Sequence, residues 1–163
     1  MWIRHLAFVA LAALLALPAA RAHEDRAGDL VFGHPHTSPT LGGVKNGAVH
    51  LVVTNNGATD DTLIGARSPV AAAVEIHNHE AGEDGVMRMR KIDRVEVPAG
   101  GSVEFAPGGL HVMLIGLTAP LTLEEIFAVT LVFEKAGEVT IYVYVTEDQP
   151  PAEASGHTGH SGH

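Results

Sequence analysis

Apolar residues along this chain occur in short runs rather than in long stretches. Segments rich in Val, Ile, Leu and Thr recur at roughly ten-residue spacing, and clusters of Gly, Pro, Asn and Asp separate them. This pattern is typical of an all-β sandwich or barrel. The strands it predicts are Ala48–Thr54, Asp61–Ala66, Ala72–His79, Val86–Lys91, Arg94–Val97, Ser102–Phe105, Leu110–Leu117, Ala128–Glu134 and Glu138–Thr146.

A helical pattern is present only in Leu121–Phe127. Thr122 stands where a cap would be, ahead of Glu124 and Glu125. We expect one helical turn in this connection.

Both ends of the chain differ from the β-rich body. Residues 1–22 combine an early arginine, an apolar run and an Ala-x-Ala ending, the pattern of a secretory signal peptide cut after Ala22. The apolar run is shorter than the roughly 20 residues that a membrane-spanning helix needs. Residues 23–42 are polar, and we expect them to form an irregular arm leading into a single domain at residues 43–147. Residues 148–163 have almost no apolar side chains and are expected to be disordered.

The composition narrows the classes of partner. Without the first 22 of its 163 residues, the chain has eight Lys and Arg against 19 Asp and Glu, a formal charge near −11 with neutral histidines. Such a surface repels nucleic acid and anionic lipid and attracts cations. The chain has no cysteine, which excludes disulfides and thiolate chemistry and argues against a lipid anchor. We expect an exported, soluble, periplasmic protein with no stable membrane anchor and no nucleic-acid partner.

Histidine and methionine occupy alternate positions on three of the predicted strands. Residues two apart on a strand share a face, and the turn Glu80–Gly85 would fold the first of these strands back on the second. We expect the side chains to meet at one end of the sandwich, with Met89 near His77. The residues concerned are His77, His79, Met87, Met89, His111 and Met113.

The donor atoms indicate which metal such a cluster would bind. Thioether sulfur is soft and neutral and suits Cu(I), whereas imidazole suits copper, zinc, iron and nickel. Two imidazoles with two thioethers therefore point to Cu(I). A blue-copper electron-transfer site is excluded, because it requires a cysteine thiolate. A neutral set of donors favours a monovalent ion that is held reversibly, as a carrier requires.

Each part of the cluster also fits a structure without metal. Met87 and Met89 alternate with arginines, as they would on any half-buried strand with methionines lining the core. His77 and His79 precede an acidic turn and fit a solvent-exposed segment. His111 fits a hydrogen-bonded core histidine, since an unpaired buried imidazole would be costly. The joint pattern, rather than any single residue, indicates a metal site.

The spacing of these residues resembles that of the periplasmic copper chaperones called PCu(A)C. The signature of that family is a histidine, one further residue, ten more, a methionine, then 21 residues and His-x-Met. His77, Met89, His111 and Met113 match this spacing. The resemblance extends from Gly43 to Val145 and includes VPAGGSVEFAPGGLHVMLIGL and VTLVFEKAGEVTIYV.

The resemblance implies a cupredoxin-like Greek-key β-sandwich that binds Cu(I) through those four side chains. It also implies delivery of copper to a partner such as a cytochrome oxidase subunit, notably its binuclear copper site, or another copper chaperone. Family members often have methionine where this chain has His79 and an aromatic residue where it has His50. The difference at His79 leaves open whether this residue joins or replaces a ligand.

Further histidines lie near the two ends of the chain. His157, His160 and His163 are spaced three apart, and imidazoles without sulfur favour Cu(II), nickel or zinc. This tail would capture Cu(II), as in some PCu(A)C members, or be a solvated segment without a site. His23, as the predicted mature N-terminus, offers an amino group and a ring nitrogen as a chelate. That arrangement resembles the histidine brace of copper oxygenases.

Three functions fit these observations. The first is a copper chaperone, which is a binding protein and not an enzyme. The second is a copper-dependent oxidoreductase, such as a dismutase-like sandwich built on His77 and His79, although the chain lacks the disulfide usual in such enzymes. The third is a secreted β-sandwich module with incidental histidines and no metal.

Overall fold

The computed structural model describes residues 25–82 and 84–147, which form eleven β-strands and no helix. The fold is therefore all-β, as the sequence pattern predicts. Within the described ranges, no helix has the length and apolarity needed to cross a membrane. The strands are β1 (Asp25–Ala27), β2 (Leu30–Thr37), β3 (Asn46–Asn55), β4 (Asp61–Arg67), β5 (Ala71–Ala81), β6 (Met87–Lys91), β7 (Val95–Val97), β8 (Ser102–Phe105), β9 (His111–Leu117), β10 (Ile126–Phe133) and β11 (Gly137–Val145).

The strands pair in the order β6-β5-β9-β3-β2-β11-β10-β4-β7, with β1 beside β2 and β8 beside β3. The long strand β3 serves both halves of this sheet. Its residues Asn46–Val49 pair with β9, whereas Leu51–Thr54 pair with β8. Alternate residues of β3, among them Val49 and Val53, are fully buried in a single apolar core that also takes side chains from β5, β9, β10 and β11. The two halves of the sheet therefore share one core.

The nine strands predicted from the sequence are confirmed as β3 to β11, but the expectation of an irregular N-terminal arm is wrong. β2 lies inside the sheet, antiparallel to β3 and parallel to β11. Phe32 of β2 is fully buried, and its ring centroid lies 5.9 Å from that of Phe133. The register of β2 against β3 shifts between Gly33 and His36, so Pro35 lies in a bulge. A proline there removes no hydrogen bond from the ladder.

The helical turn expected at Leu121–Phe127 is also absent from the described chain, because β10 begins at Ile126. A single hydrogen-bonded turn is found instead, in which the Glu125 N–H donates to the Thr122 carbonyl at 3.0 Å. Glu124 has a φ of 68°. This left-handed conformation cannot continue a right-handed helix.

Candidate metal centre

The predicted metal donors lie on the sheet face opposite to the apolar core. On β9, the core takes Val112 and Leu114, so the alternate residues His111 and Met113 occupy the other face. On β5, the core takes Ile76. His77 and His79 alternate with this core position, so they lie on the opposite face, where His77 is the register partner of His111. The alternation read from the sequence thus separates core residues from candidate ligands.

The strand register brings donors of separate strands together. His77 pairs with His111 across β5 and β9, and His79 pairs with Met89 across β5 and β6. The sequence pattern predicted that Met89 would lie near His77. The hairpin instead sets Met89 directly opposite His79, two residues from Lys91, which is the register partner of His77. The convergence of these strands is as expected, but the direct neighbour of Met89 differs.

An open cleft of about 390 Å³ lies over this face. Met89 and Met113, the two methionines expected to converge, line the same cleft together with His79 and His111. Met89 is 47% exposed, whereas His111 is only 3% exposed, so the donors extend from the surface into the protein. The remaining lining residues are Asn46, Gly47, Ala48, His50, Pro107 and Gly108.

The imidazole rings stand at distances that suit a shared metal ion. The ring centroids of His77 and His111 are 5.9 Å apart, and those of His79 and His111 are 5.3 Å apart. Two imidazoles on one ion, with metal–nitrogen bonds of about 2.0 Å, hold their centroids about 5 to 6 Å apart. Within residues 25–82 and 84–147, no three His, Asp or Glu side chains are grouped so that they could hold an ion. A metal bound in this cleft by three or more side chains therefore needs methionine sulfur among its ligands.

Hydrogen bonds determine which nitrogen of each ring has a lone pair free to bind a metal. Nδ1 of His111 lies 3.0 Å from the Gly109 carbonyl, so Nδ1–H donates and Nε2 carries the lone pair. Nε2 of His77 lies 2.8 Å from Oε2 of Glu75, so Nε2–H donates to the carboxylate. Nδ1 of His77 then carries the lone pair that could bind a metal. The buried Nδ1 atoms of His77 and His79 form no hydrogen bond with any described residue. These nitrogens are the buried polar atoms that a metal would satisfy.

The carboxylate of Glu75 links His77 to a cation on the neighbouring strand. Its Oε1 accepts a bond of 3.2 Å from Nζ of Lys91, the register partner of His77 on β6. The bonds from His77 and Lys91 lower the pKa of Glu75. The carboxylate is therefore ionised near neutral pH and acts as an acceptor that fixes the His77 ring.

His111 should give the metal-free fold a specific pH dependence. Burial lowers the pKa of His111 from 6.5, and the bond to Gly109 offsets this only in part. As the pH falls, the unfolded chain therefore binds this proton before the folded chain does. We expect the contribution of His111 to stability to be complete above about pH 6.5 and to decrease below it.

Denaturant unfolding of the metal-free wild type and of His111→Gln, at several pH values from 5 to 7.5, measures this contribution. The difference in free energy of unfolding between the two proteins should shrink as the pH falls, by at most about 1.4 kcal/mol per pH unit. A difference that stays constant over this range contradicts the prediction.

Met87 was also predicted as a possible metal ligand, but it lies away from the cleft. Met87 pairs with Ala81 at the far end of the hairpin, is 56% exposed and does not line the cleft. Two residues that the sequence analysis did not assign belong to the site: His50 lines the cleft and Glu75 holds His77. Glu75 lies two positions before His77, so the same alternation could have indicated it. The remaining predicted donors, which fall outside the described residues, are His23, His157, His160 and His163.

The fold and this cleft define a class: an all-β, cupredoxin-like protein with histidine and methionine side chains gathered on one sheet face. The chain belongs to the LpqE-like family, whose model, described as "Putative lipoprotein LpqE-like", matches residues 30–145. A solved structure described as "Copper-bound PCuAC domain from PmoF2" is 32% identical, with a TM-score of 0.66, and the match covers 77% of this chain and 99% of that one. The resemblance to PCu(A)C proteins is confirmed.

Two further proteins are similar to this chain in sequence. "Putative lipoprotein Lxx21020" of Leifsonia xyli subsp. xyli is 30% identical over 95 residues, which are 58% of this chain and 57% of that protein. The chain therefore spans little more than half of that relative. "Uncharacterized protein RP573" of Rickettsia prowazekii is 28% identical over 123 residues, covering 73% of this chain and 67% of that protein.

Proposed function

We propose that this protein is a copper chaperone, a binding protein rather than an enzyme, which holds Cu(I) and passes it to a partner. The observation that carries this proposal is the cleft in which Met89 and Met113 lie beside His79 and His111, in a chain without cysteine. The similar PCuAC domain of PmoF2 is described as copper-bound, which supports copper as the cargo.

His77, Met89, His111 and Met113 are the proposed ligands of Cu(I). Thioether and neutral imidazole are donors that suit this soft ion. None of the four carries a negative charge when it binds, so the set favours a monovalent ion over a divalent one. The cleft is open to solvent along the side of Met89. A partner can therefore replace these ligands one at a time, as transfer without release into solution requires.

His79 and His77 have different roles in this proposal. Glu75 orients His77 and keeps its Nδ1 available, which resembles the carboxylate–histidine pairs that support metal ligands generally. His79 lines the cleft and faces Met89 across the hairpin, whereas His77 does not line the cleft and reaches the site through its ring, 5.9 Å from that of His111. We assign His79 as an additional donor that can occupy a coordination position while a partner displaces Met89.

We propose that the copper is delivered in the periplasm, either to a copper site of cytochrome oxidase or to another copper chaperone. The signal-peptide pattern of residues 1–22 supports export, and the description of the family as lipoproteins agrees with it. The excess of acidic side chains would steer a partner that presents a basic face. The tail histidines at positions 157, 160 and 163 are proposed to capture Cu(II).

Titration of the full chain with Cu(I) without oxygen, and with Cu(II) in air, tests these assignments. We expect tight uptake of a single Cu(I) against a chromophoric competitor. A variant with alanine at His157, His160 and His163 should bind the same Cu(I) but less Cu(II). Failure of the full chain to hold Cu(I) contradicts the chaperone function. Unchanged Cu(II) uptake in the tail variant contradicts only the role of the tail.

A dismutase-like oxidoreductase is disfavoured by the composition of the site. Such an enzyme would need several imidazoles and a carboxylate around its metals, and the described residues contain no metal-holding group of three or more His, Asp or Glu. Copper-loaded protein that removes superoxide faster than the same amount of free copper would reverse this ranking.

A further inference from the structure

Two histidines outside the proposed set of Cu(I) ligands lie side by side on neighbouring strands. His36 of β2 and His50 of β3 are register partners. Their ring centroids are 5.5 Å apart, with the ring planes inclined by 56°. Both residues are half-buried. This spacing falls within the range of about 5 to 6 Å that two imidazoles adopt on one metal ion.

The backbone around His36 is arranged so that one ring nitrogen remains a donor for metal. The β-bulge between Gly33 and His36 includes His34, which has a φ of 50°. A residue other than glycine with positive φ is held there by its surroundings at an energetic cost. The His34 carbonyl accepts a 2.8 Å bond from Nδ1 of His36. Nε2 of His36 consequently carries the lone pair.

We propose that His36 and His50 form a second metal site, which binds a borderline divalent cation such as Zn(II) or Cu(II). The pair offers imidazole nitrogen and no sulfur, the donor set that these ions accept and that Cu(I) does not require. No group of three or more His, Asp or Glu is assembled for metal among the described residues. Water therefore completes the coordination sphere, and the ion is held weakly and exchanges readily.

The His36–His50 pair lies beside the cleft of the proposed Cu(I) site. His50 lines the same cleft as Met113 and His111. Val49 pairs with Val112, so extending the register by one residue sets His50 opposite His111. His50 therefore stands between His36 and the cleft. An ion bound by His36 and His50 would lie next to the cleft without contacting the methionine sulfur atoms. The second site and the Cu(I) site can therefore be occupied independently.

Binding of Zn(II) to the full chain tests this proposal, with alanine at His157, His160 and His163 to silence the tail. Zn(II) binds thioethers poorly, so any Zn(II) that the chain holds is held through imidazole, and the experiment must identify which rings respond. Long-range proton–nitrogen NMR spectra resolve the individual ring nitrogens. We expect Zn(II) to shift Nε2 of His36 and a ring nitrogen of His50, and His36→Gln to weaken this response at least tenfold.

Two further variants separate this site from the proposed Cu(I) site. His50→Phe retains an aromatic ring and should also lose the Zn(II) response. His77→Gln should keep the Zn(II) response of the pair and weaken the retention of Cu(I), whereas His36→Gln should retain Cu(I). Thermal unfolding verifies that each variant is folded.

Zn(II) shifts that are confined to other histidines overturn the second site, whatever the outcome of the Cu(I) titration. An unchanged Zn(II) response in both His36→Gln and His50→Phe overturns it as well. If the chain with alanine at His157, His160 and His163 does not retain Cu(I), the proposed function is wrong. That result does not contradict the second site.

Discussion

Replacement of both Met89 and Met113 by alanine should raise the dissociation constant for Cu(I) by about a hundredfold or more. Each thioether is expected to contribute at least about 1.4 kcal/mol, which is a factor of ten in affinity. Both side chains line the cleft, from β6 on one side and β9 on the other. The remaining imidazoles form a harder set that favours divalent copper. Anaerobic competition with a chromophoric Cu(I) chelator measures the change.

Met87→Ala is the matched control for this double variant. Met87 lies on the same strand as Met89 and is more exposed, at 56% against 47%, yet it does not line the cleft. Its replacement should leave Cu(I) affinity within a factor of two or so, since it removes no donor. If the double variant retains Cu(I) as well as the wild type does, the sulfur-based site is wrong. A loss of affinity in Met87→Ala equal to that of the double variant would also contradict it.

Phe32→Ala should lower the free energy of unfolding by about 3 to 5 kcal/mol, the usual effect of removing a fully buried phenylalanine. Phe32 is completely inaccessible and lies against Phe133, so the deletion leaves a cavity between β2 and its neighbours. A loss of this size is a large part of the stability of a small domain. Urea unfolding of the metal-free protein measures it.

Leu41→Ala provides the comparison, because Leu41 is 82% exposed on the connection that follows β2. Its replacement should change the free energy of unfolding by less than about 0.5 kcal/mol. A change below about 1 kcal/mol for Phe32→Ala would mean that β2 is not a part of the core.

Alternating strands such as β3 and β11 can be predicted from the sequence because inward residues recur at every second position. β2 could not be predicted in this way. Its apolar run ends at Phe32, and Gly33 and Pro35 are residues that argue against a strand inside a sheet. The bulge resolves this conflict by taking Pro35 out of the ladder. A local pattern does not contain this tertiary arrangement, so the sequence alone indicated an irregular arm.

Prediction of the candidate site is limited by register in the same way. The alternation of His77 with His79, and of His111 with Met113, was sufficient to place each pair on one face of its strand. It could not decide which residue of one strand faces which residue of the next, because the length of the hairpin turn sets that register. Met89 consequently lies opposite His79. His36 meets His50 only through the bulged β2 strand, which the sequence pattern did not reveal.

The place of β6 in the sheet bears on how the protein would give up its cargo. β6 is at the end of the strand order, and all five of its residues are exposed, whereas β9 is enclosed between β5 and β3. The two sulfur atoms therefore differ in mechanical support. With both sulfur atoms as copper ligands, as proposed, Met89 on the exposed end strand would detach first and Met113 on the enclosed strand last, so the ion would leave from the edge of the sheet.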